Sequence, residues 1–186
     1  MTRLLLSLLA LTLPASAQAG RRAQWLHERF SVELQLVGGW RAAAVTNSRG
    51  SGFEVLGGGG ELVLGLDTPV PWLGLFVSGR FVGYGIKQYQ GDAGLGLLFH
   101  PRDRIHVHVG ASCGVLHLVD NKAVPAINEN AIPIGGFLGT TVELFRLGNR
   151  LSTAVSARFD VVDLLGAGAH LPDTSIALSV GAGIHY

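Results

Sequence analysis

The sequence predicts an all-β fold: one eight-stranded antiparallel up-and-down transmembrane β-barrel, apolar outside and polar inside, behind a cleaved export leader. Three observations predict it. Apolar and small or polar residues alternate with a period of two in eight separate segments, and two is the period of an extended strand. The chain of 186 residues is 48% hydrophobic and 15% charged, whereas ordinary soluble domains carry about 25% charged residues. Beyond the leader, the longest stretch free of Asp, Glu, Lys and Arg is Ile105–Val119, short of the roughly 20 residues that a membrane-crossing helix needs. Hydrocarbon offers backbone N–H and C=O groups no partner, so only helices and closed barrels cross it. Apolar surface meant for lipid must here be arranged as a barrel.

The elements follow in order. The opening "MTRLLLSLLALTLPASAQAG" has an early cation at Arg3, an apolar run from Leu4 to Leu13, and small residues at Ala15, Ala17 and Ala19. That order describes a secretory signal peptide over 1–19, cut after Ala17 or Ala19. A short periplasmic segment at 20–29 leads into a barrel over 30–186. The outward residues of the first strand are Val32, Leu34, Leu36, Gly38 and Trp40, and those of the second Leu56, Gly58, Gly60, Leu62, Leu64 and Leu66. The third offers Leu73, Leu75, Val77, Gly79 and Phe81, and the fourth Gly91, Ala93, Leu95, Leu97 and Phe99. The fifth and sixth present Ile105, Val107, Val109, Ala111, Cys113 and Val115, then Ile134, Gly136, Leu138, Thr140, Val142 and Leu144. The seventh gives Leu151, Thr153, Val155, Ala157, Phe159 and Val161, and the last Ile176, Leu178, Val180, Ala182, Ile184 and Tyr186.

No residue in these rows is charged. The opposite rows hold Glu33, Glu61, Arg80, Asp92, His106, His108, Glu143, Arg158 and Asp160. A Lys or Arg facing lipid at the bilayer midplane costs about 2–4 kcal/mol, which keeps charge off one row only. A soluble barrel has the reverse polarity. The nine interior groups are expected to form a polar network that fills the lumen, because buried charges need partners. Glu61, Arg80 and Asp92 fall at similar heights on adjacent strands. His106, His108 and Glu143 cluster near the opposite end, where Glu33 and His185 meet at the closure.

Connections are expected to alternate in length. "DTPVP", "HPRDR" and "RLGNR" hold the Pro, Gly, Asp and Asn of tight turns, and longer polar segments lie at 41–52, 84–90, 117–131 and 162–174. Small outer-membrane barrels have short periplasmic turns and longer extracellular loops, so both termini are expected on the periplasmic side. Phe30, Phe99 and Tyr186 would then mark one interface, and Trp40, Phe81 and Phe159 the other.

The closing "SVGAGIHY" places Ser179, Gly181, Ile184 and Tyr186 in the order polar, Gly, apolar, terminal aromatic. With the leader and the eight alternating segments, it resembles the small eight-stranded outer-membrane barrels of the OmpA and OmpX type. The resemblance implies that these four residues are the signal read by the barrel-assembly machinery. It also implies a monomer embedded in outer-membrane lipid. The lipid A deacylases among such barrels use a His-x-Ser strand motif with a later Glu. "HVHVGAS" departs from it, because His106, His108 and Ser112 have the wrong spacing and all face inward, so no catalytic residue is assigned.

Other chemistry is weakly signalled. A net charge of +1 gives no electrostatic reason for nucleic-acid binding. Cys113 is single and has no intramolecular partner. His106 and His108 project from one strand face as metal ligands do, but hydrogen bonding to Glu143 is the favoured reading, and no metal or cofactor is expected. "GGGG" at 57–60 lacks the Lys and Ser or Thr of a phosphate loop and lies within a strand. The expected role is structural or interactive: stabilising the envelope, or engaging an external partner through loops 41–52, 117–131 and 162–174. A narrow pore is the runner-up, because Gly74, Gly94, Gly96, Gly110, Gly114, Gly135 and Gly139 all face inward. A lipid A-modifying enzyme is third, and a water-soluble lipocalin-like binder fourth. The leader predicts that intact mass spectrometry of the exported protein finds an N-terminus at Gln18 or Gly20. An N-terminus at Met1 contradicts it.

Overall fold

The computed structural model describes residues 29–45, 54–85, 88–102, 104–120, 125–147, 150–168 and 171–186. The expected leader at 1–19 and nearly all of the segment at 20–29 lie outside the described residues. Eight strands follow in chain order: β1 (Phe30–Val45), β2 (Glu54–Asp67), β3 (Leu73–Tyr84), β4 (Gln88–Arg102), β5 (Ile105–Asp120), β6 (Ile127–Arg146), β7 (Ser152–Leu165) and β8 (Thr174–His185). Each is antiparallel to its neighbour, and β8 closes the barrel on β1. Tyr186 and Val32 exchange both backbone hydrogen bonds at 2.9 Å beyond the end of β8. Among the described residues no helix is long and apolar enough to cross a membrane.

Register turns the alternation of each strand into a property of the whole wall. Trp40 pairs with Leu178, Leu178 with Phe159, Phe159 with Leu138, Leu138 with Val109, Val109 with Leu97, Leu97 with Leu75 and Leu75 with Leu66. This row touches every strand, faces outward and carries no charge. Leu36 is 78% exposed, Leu56 74% and Leu95 66%, whereas Arg41 is 1%, Glu33 3% and Asp160 5% exposed. The polarity of a water-soluble barrel is therefore reversed, as the alternation predicts.

The interior is filled by side chains. Val63, Phe76, Leu98 and Phe137 pack together across the lumen, with the two Phe rings edge to face at 5.7 Å. The inward glycines make room for these rings. A Cβ at Gly110 would lie 3.0 Å from Phe76 and 3.1 Å from Phe137, and one at Gly94 would lie 3.1 Å from Phe137. At the end remote from Tyr186, Leu116, Leu118, Ala131, Val162, Leu164 and Leu171 form a second apolar cluster.

The strands run further than the sequence reading placed them. The segments read as loops at 41–52, 117–131 and 162–174 contract to connections at 46–53, 121–126 and 166–173. The longer connection expected at 84–90 is a three-residue turn, since Tyr84 pairs with Gln88, Gly83 with Tyr89 and Val82 with Gln90. Gly85 supplies the turn with φ at 60°, a conformation that glycine adopts without strain. At 41–52 and 84–90 the physical reason is shared: Arg41, Gln88 and Gln90 are polar but buried in the lumen, so polarity there marks the inward face of a strand. At the other end the turns at 68–72, 103–104 and 147–151 are short, as expected.

Aromatic side chains gather at both ends. Trp72 stacks on Phe99 at 6.3 Å near the Tyr186 end, where Phe145 is also exposed. Phe81, Tyr89 and Phe159 are exposed toward the other. Trp72, Phe145 and Tyr89 extend the two sets expected from sequence. Leu138, midway along β6 and 52% exposed, tests which face meets lipid. Leu138→Arg is expected to destabilise the barrel in lipid vesicles by about 2–4 kcal/mol in denaturant unfolding. An unchanged stability shows that this face is not in hydrocarbon.

Candidate functional site

The polar residues of the lumen come from all eight strands and form three groups along its length. Farthest from Tyr186, the Arg41 guanidinium donates to Ser175 Oγ from Nε at 3.1 Å and from Nη2 at 2.8 Å. Its Nη1 donates to Gln90 Oε1, and the group lies over the Tyr84 ring at 5.3 Å. Gln90 Nε2 in turn donates to both carboxylate oxygens of Asp92, at 2.8 and 2.6 Å. Arg41 thus fills the upper lumen with a planar donor fork, the geometry that makes Arg suited to buried polar partners.

The middle group is a four-membered ion network. Arg80 Nη1 donates to Asp160 Oδ2 at 2.9 Å. Arg158 donates to Asp160 Oδ1 from Nε at 2.8 Å and from Nη2 at 2.7 Å, and its Nη1 reaches Glu61 Oε1. The Arg158 guanidinium also stands over the Phe137 ring at 3.7 Å. Two cations and two carboxylates balance in charge. Small neighbours make the space: Arg158 pairs across the sheet with Gly139 and Ser179, and a Cβ at Gly114 would lie 2.6 Å from Asp92.

Toward the Tyr186 end, Glu33 accepts from Gln35 Nε2 at 2.8 Å and from Thr141 Oγ1 at 3.0 Å. His108 Nε2 stands 3.6 Å from Glu33. Below lies a row of imidazoles and carboxylates. His106 Nε2 meets Glu143 Oε1 at 2.9 Å, His185 Nδ1 meets the same oxygen at 3.1 Å, and His106 Nδ1 meets His100 Nδ1 at 2.8 Å. His100 Nε2 ends the row on Asp67 Oδ1 at 2.9 Å.

The nine residues assigned to the interior all face the lumen, but their partners differ from those expected. Glu61, Arg80 and Asp92 stand side by side in register, yet the ion pairs cross the lumen to Arg158 and Asp160 on β7. Asp92 turns to Gln90. His106 joins Glu143 as expected, whereas His108 faces Glu33. The expected meeting of Glu33 and His185 is a 3.9 Å approach. Arg41, Gln35, Gln90, His100 and Asp67 complete the network and were missed as sites. Each continues the inward parity of its own strand, so the signal was present. Arg41, Gln90, His100 and Asp67 lie in segments whose composition suggests a loop or turn.

In the closing strand, Ser179 is buried facing inward, and Ile184 and Tyr186 face outward. Gly181 has a packing reason of its own, since a Cβ there would lie 2.6 Å from Ser156 Oγ and 2.7 Å from Gln35 Oε1. Ser112 faces the lumen, away from the wall that any acyl chain would reach. The cavity beside Glu33, Glu61, His108, Phe137 and Arg158 leaves about 20 Å³ for a water-sized sphere, room for roughly one water molecule. Chemically, the arrangement sets paired charges and aromatic rings across the lumen.

No family model matches the chain, and no curated protein does. Solved structures do share its fold. Neisserial surface protein A aligns with a TM-score of 0.54 at 10% identity, over 84% of this chain and 95% of that one. Ail, the attachment invasion locus protein of Yersinia pestis, aligns with a TM-score of 0.53 at 10% identity, over 85% and 98%. Ail in complex with the heparin analogue sucrose octasulfate aligns at 0.50 and 11% identity over the same shares. The chain is thus an all-β closed barrel of the small eight-stranded kind.

Arg158 links Glu61 to Asp160, so removing it takes this partner from Glu61 and leaves Asp160 to Arg80 alone. Arg158→Ala is expected to cost about 3–5 kcal/mol, the range for breaking a buried charge pair. Urea unfolding of the refolded chain reads this directly, and a change below about 1 kcal/mol shows that solvent reaches the network.

Proposed function

We propose that this chain is an integral outer-membrane β-barrel with a closed lumen, which acts through its surface and connections by binding and by stabilising the envelope. The observation that carries this reading is the polarity of the wall: an uncharged apolar row runs round the outside, and paired charges occupy the inside. Lipid is the medium in which that partition is favourable. The aromatic residues at the two ends fit the two interfaces of a bilayer. On this reading the short turns at 68–72, 103–104 and 147–151 are periplasmic. The connections at 46–53, 85–87, 121–126 and 166–173 are extracellular, and both termini lie in the periplasm.

A binding role is supported by what the barrel presents. An eight-stranded lumen is just wide enough for side chains to fill, and this one is filled, which leaves the external connections and rim as the surface open to a partner. Ail, of the same fold, has been solved with a heparin analogue, so a barrel of this size can engage an external ligand.

Membrane placement and closure are tested separately. Unheated and boiled membrane fractions are expected to migrate differently on detergent gels, as a folded barrel resists detergent until heated. Equal mobility, with the protein in the soluble fraction, rejects the membrane reading. In planar bilayers the folded chain is expected to give no stable conductance steps. Steps that Arg80→Ala or Asp160→Ala enlarges show an open lumen and replace closure by a pore.

A further inference from the structure

The row at the Tyr186 end has a feature that simple hydrogen bonding does not satisfy. Asp67, His100, His106 and Glu143 make three successive contacts at 2.9, 2.8 and 2.9 Å. Each needs one hydrogen. The two ends are carboxylates, which only accept, so all three hydrogens must come from two imidazoles, and two neutral imidazoles carry two. The row is one hydrogen short. It closes either with an additional proton, on an imidazole or on one of the carboxylates, or with a cation in place of the hydrogen on His106 Nε2.

The surroundings of that atom favour the cation. Glu143 Oε1 stands 2.9 Å from His106 Nε2 and 3.1 Å from His185 Nδ1, and one ligand atom from each of the three residues lies within 4.8 Å of the others. Ligands of a tetrahedral ion at about 2.0–2.1 Å stand about 3.3 Å apart, so a few tenths of an ångström of expansion admits one. With the cation in place, His106 donates from Nδ1 to His100 Nδ1, and His100 donates from Nε2 to Asp67. Every contact is then satisfied with neutral rings. The result is a metal-bound imidazole held by an outer imidazole and carboxylate, the usual support of such a ligand.

Three further observations agree. Asp67 and Glu143 bring two carboxyl groups to the row, in keeping with a dication. The strand registers shift between Phe99 and Arg102 on β4 and between Glu143 and Arg146 on β6. Such bulges re-aim side chains, and here they flank His100 and Glu143. Access is also built in, because exposure rises from 7% at His106 through 18% at His100 to 44% at Asp67.

We propose that His106, Glu143 and His185 form a binding site for one divalent first-row transition cation, with His100 and Asp67 orienting His106. Two imidazoles and a carboxylate suit Zn²⁺ and its neighbours in the series rather than Mg²⁺ or Ca²⁺. Cys113 is on the outer face, so no thiolate takes part. This site is independent of the envelope role proposed above.

The test uses the tag-free full chain, folded in detergent micelles and stripped with chelator. Zn²⁺ titrated calorimetrically is expected to bind one per chain, and Co²⁺ to give visible ligand-field bands that Zn²⁺ abolishes. Glu143→Gln and His185→Gln are each expected to weaken Zn²⁺ about ten-fold or more, and His100→Ala about ten-fold. His117→Gln, on the pair with Asn130, leaves affinity unchanged. Should a variant fail to fold, the wild-type chain still decides. Zn²⁺ is expected to protect His106 and His185, but not His117, from carbethoxylation by diethyl pyrocarbonate. Absence of saturable one-to-one binding, affinity kept without Glu143 and His185, or protection at His117 alone overturns the site and leaves an additional proton as what completes the row.

Discussion

Everything in this barrel depends on backbone pairing without an edge. In hydrocarbon an unpaired N–H or C=O costs several kcal/mol, so the first strand must find the last. β1 meets β8 from Glu33 opposite His185 to Ala43 opposite Ser175, and Tyr186 adds two further backbone bonds to Val32. The aromatic end of the chain is therefore the seam that removes both edges. The same seam carries His185 into the lumen beside Glu33 and Glu143, so closure and the imidazole row are set by one register.

Once the outer wall is given to lipid, the interior cannot be a conventional oily core. There is little apolar surface left to bury, and the inward rows must be filled with what remains. The chain does this in layers: a guanidinium and amides at one end, the Arg80, Asp160, Arg158 and Glu61 network next, two Phe rings below, and imidazoles with carboxylates at the other end. Large groups sit beside small ones, as with Arg158 between Gly139 and Ser179. A lumen that tight gives specificity through pairing, since each charge has few places to go. Inward Gly94 and Gly110 leave space for rings, and Gly74 and Gly114 for carboxylates.

The two ends differ in what they expose. The end remote from Tyr186 is closed inside by an apolar cluster that includes Leu116, Leu164 and Leu171, beneath the longer connections. The other end is open enough to reach Asp67 and His100, beneath short turns. A partner engaging the longer connections would not meet the imidazole row. The longer connections and the imidazole row thus lie at opposite mouths of the barrel.

Much of this was legible in the residues. The parity of each strand placed Glu61, Arg80, Arg158 and Asp160 inside and Leu36, Leu95 and Val180 outside, because successive side chains of any strand point to opposite faces whatever lies around them. Ranges were less legible: Arg41, Gln88 and Gln90 were read as loop because they are polar, although polar residues are what an inverted barrel buries. Of the partners, only the pair of His106 with Glu143 was legible. Arg80 neighbours Asp92 in register yet bonds Asp160 across the lumen, and His100 and Asp67 join His106 only because β2, β4 and β5 end at the same mouth. Which face each side chain takes could be read from the residues, since it is a local consequence of backbone geometry. Which other groups meet could be read only from the closed fold, since it depends on register, bulges and the packing of eight strands round one lumen.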